Sequence, residues 1–393
     1  MSGMKNMLAR YRENGLLVFL VLYLVFYTTD AAGGYFMIYL NSIGFNTLQM
    51  GILTAVAALT AMLFQPFIGR MADRARTKNG VLIVTLLSAA CIGMMLRLSK
   101  GFIYIMLVYT GYLILRNTQR PLVDTITLEY ADAKGADFGP IRTMGCIGYA
   151  LMAAYAGRVA DVDPANTFVL FTAASLASVL VVLFLPKSYG MQRGKKRVSP
   201  MVIFNNRRLL AYTLLAMVLA STKSFYHNFF SVYFTRELGG SANLYGILLS
   251  VAAFMEIPVI FLIDRLNRRF GVRSVIIAAG LIAAAHLAIT AMVVNPTAQI
   301  VIQSFFGLNN MTLSLSMTIF VNEAMSPELK ATGQATYSMC TNVASLLIGN
   351  LLGGAASNLL GIRAVLVLCV MINVIAVGLF ALRGRRNGRA VMG

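Results

Sequence analysis

The sequence predicts an all-α membrane protein whose twelve transmembrane helices form two pseudo-symmetric six-helix bundles. Three observations predict this fold: 58% of the 393 residues are hydrophobic and only 12% are charged, apolar stretches of membrane-spanning length recur along the chain, and a basic segment divides it into similar halves. A soluble domain averages about a quarter charged residues, which it needs to cover its surface. The composition therefore excludes a soluble enzyme.

The apolar stretches are counted against the thickness of a bilayer. A helix needs roughly 20 mostly apolar residues to cross a hydrocarbon core of about 30 Å. Twelve stretches meet this length, at approximately 15–40, 48–70, 81–99, 102–128, 141–160, 167–186, 209–236, 244–264, 273–293, 298–323, 331–358 and 363–383. The first is too long for a signal-peptide core and lacks a small-residue cleavage site, so we expect it to be retained as a helix.

The 33 basic residues, against 14 acidic ones, give a formal net charge of +19. Most of them lie at the termini and in the even-numbered connections between apolar stretches, which is the pattern of cytoplasmic loops. We therefore interpret them as orientation signals that place both termini in the cytoplasm, and not as a nucleic-acid surface. The four cysteines lie inside apolar stretches without metal-ligand spacing, so neither a disulfide framework, a metal nor a cofactor is expected.

The longest polar interruption, 187–208, lies between the sixth and seventh stretches. It predicts an N-terminal bundle at 1–186, a cytoplasmic linker at 187–208 and a C-terminal bundle at 209–393. Two bundles joined by a basic linker are typical of a transporter with its site near the membrane midplane.

An internal echo supports the two halves. The segment GRMADRARTK follows the second stretch and IFLIDRLNRR follows the eighth, which places Asp73 and Arg74 in positions equivalent to Asp264 and Arg265. We expect these acid–base pairs to lie on the cytoplasmic side. A basic retention loop with an incidental acid is the alternative.

The first of these segments resembles the loop motif of the major facilitator superfamily, Gly-x-x-x-Asp-Arg-x-Gly-Arg-Lys. Gly69, Asp73, Arg74 and Lys78 match the motif, whereas Arg76 stands where a second glycine is usual. The resemblance implies that the carboxylate accepts hydrogen bonds at a helix start, pairs with arginine and latches the cytoplasmic gate.

Residues 121–150 are similar to the region around helices four and five of the lactose permease-like oligosaccharide/H⁺ symporters. This resemblance places the family's sugar-binding carboxylate on Asp124, its partner arginine on Arg142, a cysteine on Cys146 and a stacking aromatic ring on Tyr149. It implies a binding site for vicinal hydroxyl groups in the first half.

The second half departs from that family. Asn309 stands where the proton-carrying carboxylate of helix ten is expected, and His286 stands in place of an arginine on helix nine. Phe306, Asn342 and Ser224 fall on further positions that are charged or histidine in the family. The resemblance therefore covers the binding half better than the coupling half.

Ionisable side chains within a bilayer are costly unless paired or hydrated, so each is a candidate functional residue. They are Asp30, Arg116, Arg120, Asp124, Lys223, His227, Glu256 and His286. The spacing of four puts residues 116, 120 and 124 on one helical stripe with Asn117 beside it. We expect this stripe to line a substrate cavity. The alternatives are a packing salt bridge, neutralisation of Asp30 or Glu256 by Arg116 or Arg120, and an anionic substrate.

Glu256 lies in the middle of the eighth stretch, just before Pro258. A carboxyl group there is suited to carry a proton, because opening and closing of a cavity changes its solvation. We predict a Lys223–Glu256 pair that protonation breaks, with His227 one turn away and Asp30 as the second candidate; a structural pair is the alternative. A lone histidine such as His286 is either a packing residue or a switch.

These observations predict a secondary active transporter that works by alternating access and imports a sugar or glycoside with H⁺. The alternatives are an organic anion such as an aromatic or sugar acid, a nucleoside, drug export, Na⁺ coupling and uncoupled diffusion. No ATPase motif and no nucleophile-and-base arrangement supports an ATP-driven pump or an enzyme. We expect a prokaryotic inner-membrane protein, and nothing in the sequence requires more than a monomer.

Overall fold

The computed structural model describes residues 15–188, 207–325 and 330–389, and the regular structure within these ranges is helical. The helices of the first half are α1 (Leu17–Gly33, continued by Phe36–Ser42), α2 (Thr47–Arg74), α3 (Lys78–Met95), α4 (Phe102–Ala133), α5 (Gly139–Val162) and α6 (Thr167–Leu183). A short 3₁₀ turn, Pro164–Asn166, leads into α6.

The second half contains α7 (Arg207–Val232, continued by the π-helical turn Tyr233–Glu237), α8 (Ala242–Phe270), α9 (Val272–Met292) and α10 (Gln299–Ala324). It ends with α11 and α12. Helix α11 runs over Lys330–Ala344, the π-helical segment Ser345–Leu352 and Gly353–Leu360, and α12 is Ile362–Arg389.

These helices coincide with the twelve predicted stretches. Within the described residues, nine segments are long and apolar enough to cross a membrane by length and composition. Helices α4, α5 and α10 are not among the nine, because polar side chains such as Arg116, Arg120 and Asn309 lower their hydropathy. The less apolar helices are thus the ones that carry many of the candidate functional residues.

The packing pattern of the first half recurs in the second. Helix α1 packs against α5 and α6, and α3 packs against α4 and α6. Six helices later, α7 packs against α11 and α12, and α9 packs against α10 and α12. The predicted all-α membrane fold of two repeated six-helix bundles is confirmed.

Among the described residues, those of Met1–Ile43 and Val56–Gly194 form one compact unit, and those of Gly44–Ala55 and Lys195–Gly393 form another. We call them the first and the second unit. Most of the predicted linker, residues 189–206, lies outside the described residues, so its role as a cytoplasmic connection stays a prediction.

Two glycines set the distance between packed helices. A Cβ atom on Gly148 of α5 would overlap the carbonyl oxygen of Leu24 on α1, and a Cβ atom on Gly307 of α10 would overlap the carbonyl oxygen of Ala252 on α8. Each glycine therefore lets two backbones approach closely. In the first unit this contact brings α5, with Arg142, against α1.

Candidate functional site

Two polar contacts join α1 to α4 inside the first unit. The Arg116 guanidinium donates from Nη2 to Oδ1 of Asp30 at 3.0 Å and to the Asp30 carbonyl oxygen at 3.2 Å. Two turns further along α4, Asp124 accepts a hydrogen bond on Oδ1 from the Tyr23 hydroxyl at 2.5 Å. The order of these residues is reversed between the two helices, as expected when two helices run antiparallel.

Tyr27 lies between these two contacts, with a guanidinium near its ring from each of two helices. The Cζ atom of Arg142 on α5 lies 4.7 Å from the centre of the ring, and that of Arg120 on α4 lies 5.4 Å from it. Both distances are those of cation–π contacts. A Cβ atom on Gly145 would lie 2.8 Å from Cδ2 of Tyr27, so the glycine gives the ring its place against α5.

We call the set formed by these contacts the charged ladder. It comprises Tyr23, Tyr27, Asp30, Arg116, Arg120, Asp124 and Arg142. Within it, the Tyr27 hydroxyl, Nε of Arg116 and Nη1 of Arg142 are buried and have no hydrogen-bond partner. Asp124 and Arg142 are half-buried, and Arg120 is exposed. The ladder therefore contains buried donors without an acceptor as well as side chains that are accessible to solvent.

The partners within the ladder differ from some of the sequence expectations. Asp124 bonds to Tyr23 where a pair with Arg142 was expected, and Arg142 contacts the ring of Tyr27. Arg116 pairs with Asp30, as one of the alternatives had it. These pairings follow from the antiparallel directions of α1 and α4, which bring Arg116 opposite Asp30 and Asp124 opposite Tyr23.

The other candidate residues of the first unit lie around the ladder. Asn117 is exposed on α4. Cys146 is 3% exposed on α5, and Tyr149 packs, partly buried, against the hydrophobic core that contains Tyr23 and Tyr27. Tyr149 therefore packs against the same hydrophobic core as two residues of the ladder.

In the second unit, Glu256 has a neutral partner. Its Oε1 accepts a hydrogen bond from Nδ2 of Asn310 on α10 at 2.7 Å. The hydrogen-bond partner of Glu256 is thus an amide on α10, and the predicted Lys223–Glu256 ion pair stays a prediction. Lys223 and His227 are exposed on α7.

A small cavity lies beside Asn310, between α7, α9, α10 and α12. Its volume is about 20 Å³, enough for about one water molecule. The polar side chains that line it are Thr222, Lys223, Tyr226, His286, Asn309, Asn310 and Asn373. The Thr222 hydroxyl donates to Oδ1 of Asn373 at 2.9 Å, whereas Nε2 of His286, Oδ1 of Asn309 and Nδ2 of Asn373 are buried without a hydrogen-bond partner.

His286 is packed among aromatic rings. It is 3% exposed, and its ring centre lies 4.8 Å from that of Tyr226 and 5.6 Å from that of Phe306. This environment fits the alternative in which His286 is a packing residue. The residue nevertheless lines the cavity, and its Nε2 has no hydrogen-bond partner.

The residues of the first loop motif lie near the end of α2 and at the start of α3, and those of its second copy lie near the end of α8. Lys78 pairs with Glu129 at the end of α4, and the Ser188 hydroxyl donates to the other oxygen of Glu129 at 3.0 Å. The side chain of Asp73 lies outside the described part of the structure, so its latch role is untested. Gly69 lies within α2, and Arg74, Asp264 and Arg265 are exposed.

Sequence reasoning missed Tyr23, Tyr27, Asn310 and Glu129. The two tyrosines carried a usable signal, because their spacing of four, followed by Asp30 three residues later, places all three on one face of α1. Asn310 and Glu129 gave no comparable signal, because Asn310 is one of several amides on its helix and an acid near a helix end is common.

Comparisons with known proteins agree with this fold. The family model described as the MFS_1 like family matches residues 16–367. The maltose permease of Geobacillus stearothermophilus is 26% identical over 86% of this chain and 87% of its own length. The putative nucleoside transporter YegT of Escherichia coli (strain K12) is 25% identical over 63% of this chain and 60% of its own length.

A solved structure shares this fold. The crystal structure of a mutant of the nucleoside transporter NupG superposes with a TM-score of 0.83 and covers 93% of this chain and 98% of its own. At 17% sequence identity, this likeness concerns the fold alone.

Proposed function

Because this chain belongs to the MFS_1-like family of membrane transporters, we propose that it is a secondary active transporter that imports a sugar or glycoside together with a proton. Its relatives are transporters, and the chain is a membrane transporter and not an enzyme. The substrate and the coupling ion are the proposed parts.

The charged ladder carries the substrate proposal. A sugar ring offers hydroxyl groups that donate and accept hydrogen bonds, and an apolar face that packs on aromatic rings. In the ladder, Asp124 is the acceptor and the unpartnered Nη1 of Arg142 is the donor, with the rings of Tyr27 and Tyr149 close to them. The maltose permease and lactose permease relatives support a sugar as the solute.

The Glu256–Asn310 contact carries the coupling proposal. An ionised Glu256 accepts the hydrogen bond from Asn310, whereas a protonated carboxyl group becomes a donor itself and no longer needs that amide. Proton loading would therefore weaken this contact between α8 and α10 and bias the exchange between inward-open and outward-open states. Lys223, His286 and Asn309 line one cavity with Asn310, and together with His227, one turn from Lys223 on α7, they are the proposed surroundings of the proton site.

Three further expectations belong to this proposal. The acid–base pairs Asp73–Arg74 and Asp264–Arg265 act as the cytoplasmic latch, both termini lie in the cytoplasm, and the protein works as a monomer in a prokaryotic inner membrane. The distribution of Lys and Arg supports the orientation.

A nucleoside is the second candidate substrate. The relative YegT is described as a putative nucleoside transporter and the structural neighbour NupG as a nucleoside transporter. A nucleoside is itself a glycoside, so its ribose hydroxyl groups suit the same acceptor and donor, and its base suits an aromatic ring.

The test is uptake of radiolabelled maltose, lactose, D-glucuronate and uridine into proteoliposomes, with and without an inward proton gradient. We expect one of these classes to accumulate above its external concentration only with the gradient, and a protonophore to abolish accumulation. Arg158→Gln, at an exposed position far along α5 from Arg142, is the control variant. Equal accumulation with and without the protonophore would contradict proton coupling, and no uptake of any sugar would contradict the substrate class.

A further inference from the structure

The charged ladder has more positive than negative charge. Its cations are Arg116, Arg120 and Arg142, and its anions are Asp30 and Asp124. The Arg116–Asp30 pair is internally neutral, and its two side chains are only 23% and 22% exposed. Two guanidiniums and one carboxylate therefore remain around Tyr27, and Asp124 is already bonded to the neutral hydroxyl of Tyr23.

Two of the three unpartnered buried atoms of the ladder lie around Tyr27 and show what kind of group is missing there. Nη1 of Arg142 is a donor only, and it is buried without an acceptor. The Tyr27 hydroxyl, on a residue that is 4% exposed, is likewise buried without a partner. Buried donors without an acceptor are costly, so this part of the ladder is suited to a group that brings acceptor oxygens.

Charge decides between a hydroxyl and a carboxylate as that group. A hydroxyl would satisfy one donor and leave the excess positive charge in place. A carboxylate has two oxygens and no proton to place, it forms charge-assisted hydrogen bonds with a guanidinium, and it gives the ladder equal numbers of positive and negative charges.

We propose that the substrate carries a carboxylate group, as in a sugar acid or an acidic glycoside, and that this carboxylate binds to Arg142 and the Tyr27 hydroxyl beside Arg120. This inference rests on the proposed function, because it names the class of sugar that the same site takes. An unbalanced charge in a membrane is costly. The protein whose ladder is neutralised by bound substrate therefore passes through the closed state of the transport cycle more readily than the empty protein.

The inference is tested by equilibrium binding of two matched pairs, D-glucuronate with D-glucose and D-galacturonate with D-galactose, to the purified protein in nanodiscs. We expect a uronate to bind at least about tenfold more tightly than its neutral partner, which corresponds to one charge-assisted hydrogen bond. Arg142→Gln and Tyr27→Phe should reduce this ratio, Arg142→Lys should keep part of it because it keeps the charge, and Arg158→Gln should leave it unchanged.

Each remaining outcome has a defined meaning. Equal binding of uronate and neutral sugar, with Arg142→Gln weakening both alike, would overturn the carboxylate inference and leave sugar transport standing. Benzoate binding as tightly as the uronates would support the carboxylate site but contradict the sugar part of the proposed function. If neither sugars nor acids bind, both fail together. Thermal unfolding of each variant shows whether it is folded, and the ratio within the wild-type protein tests the inference without any variant.

Discussion

The two units repeat one packing pattern but fill it with different polar chemistry. The first unit holds the charged ladder, whose Arg116–Asp30 ion pair and two guanidiniums around Tyr27 lie between α1, α4 and α5. The second unit holds mainly neutral groups around a small cavity, and its acid Glu256 is bonded to an amide. The repeated helix packing therefore does not fix the polar chemistry of each unit. We propose that the first unit binds the solute and that the second unit responds to the proton.

The largest expected effect comes from removing the ladder's acceptor. Asp124→Asn loses a carboxylate that accepts from Tyr23 and adds to the excess positive charge. A hydrogen bond from a substrate hydroxyl to a charged acceptor is worth about 2 kcal/mol, so we expect binding of a neutral sugar to weaken about thirtyfold, whereas for a uronate the added positive charge offsets part of this loss. Titration of the purified protein with the transported solute measures this. Normal binding by Asp124→Asn would remove the first unit from the solute site.

Next in size is the Arg116–Asp30 pair, which we expect to matter for stability. Arg116→Gln leaves Asp30 as a partly buried, unpaired carboxylate and should destabilise the protein by about 2 kcal/mol. Asp30→Asn together with Arg116→Gln should recover part of that loss, since the double variant buries no unpaired charge. Thermal unfolding in detergent measures both. If the double variant were less stable than either single variant, the pair would not be the unit that matters.

A smaller effect, equal in both units, is expected from the packing glycines. Gly148→Ala and Gly307→Ala each push a methyl group into a facing carbonyl oxygen, and overpacking of this kind costs about 1–3 kcal/mol. Gly378→Ala is the matched control, because a Cβ atom there meets nothing within 4 Å and alanine favours the helix. The unfolding temperatures should fall in the first two variants and stay level or rise in the third. A loss confined to one unit would show that the repeat is not mechanically equivalent.

The smallest effect concerns the neutral network of the second unit. Thr222→Val keeps the shape of the side chain and removes its hydrogen bond to Asn373, so we expect a loss of about 1 kcal/mol in stability. Proton-driven uptake should change little. A strong defect in coupling with unchanged unfolding temperature would instead place Thr222 in the proton response.

Much of this fold could be predicted from the sequence, because apolar stretches of bilayer length report directly on the helices, while the orientation that the basic residues indicate stays a prediction. The stripe of residues 116, 120 and 124 followed from helical spacing alone. Their partners could not be predicted, since they depend on how far α1 slides along α4, and one helical turn of about 5.4 Å would change each contact.

Glu256 illustrates the same limit in the second unit. Opposite charges suggested a pair with Lys223, but a neutral amide on α10 supplies its hydrogen bond. The sequence gives the formal charge of each side chain, whereas the hydrogen-bond partner of Glu256 depends on how α8 packs against α10. The resemblance to the sugar symporters named Asp124 and Arg142 but not their contacts with Tyr23 and Tyr27.

The most direct test of the division between the two units compares solute exchange with proton-driven accumulation in the same proteoliposomes. Exchange of labelled for unlabelled solute needs binding and reorientation, whereas accumulation also needs coupling to the proton. We expect Asp124→Asn to lose both activities, and Glu256→Gln to keep exchange near the wild-type rate while it loses accumulation. Loss of both activities in Glu256→Gln, or exchange that survives in Asp124→Asn, would contradict the assignment of binding to the first unit and proton response to the second.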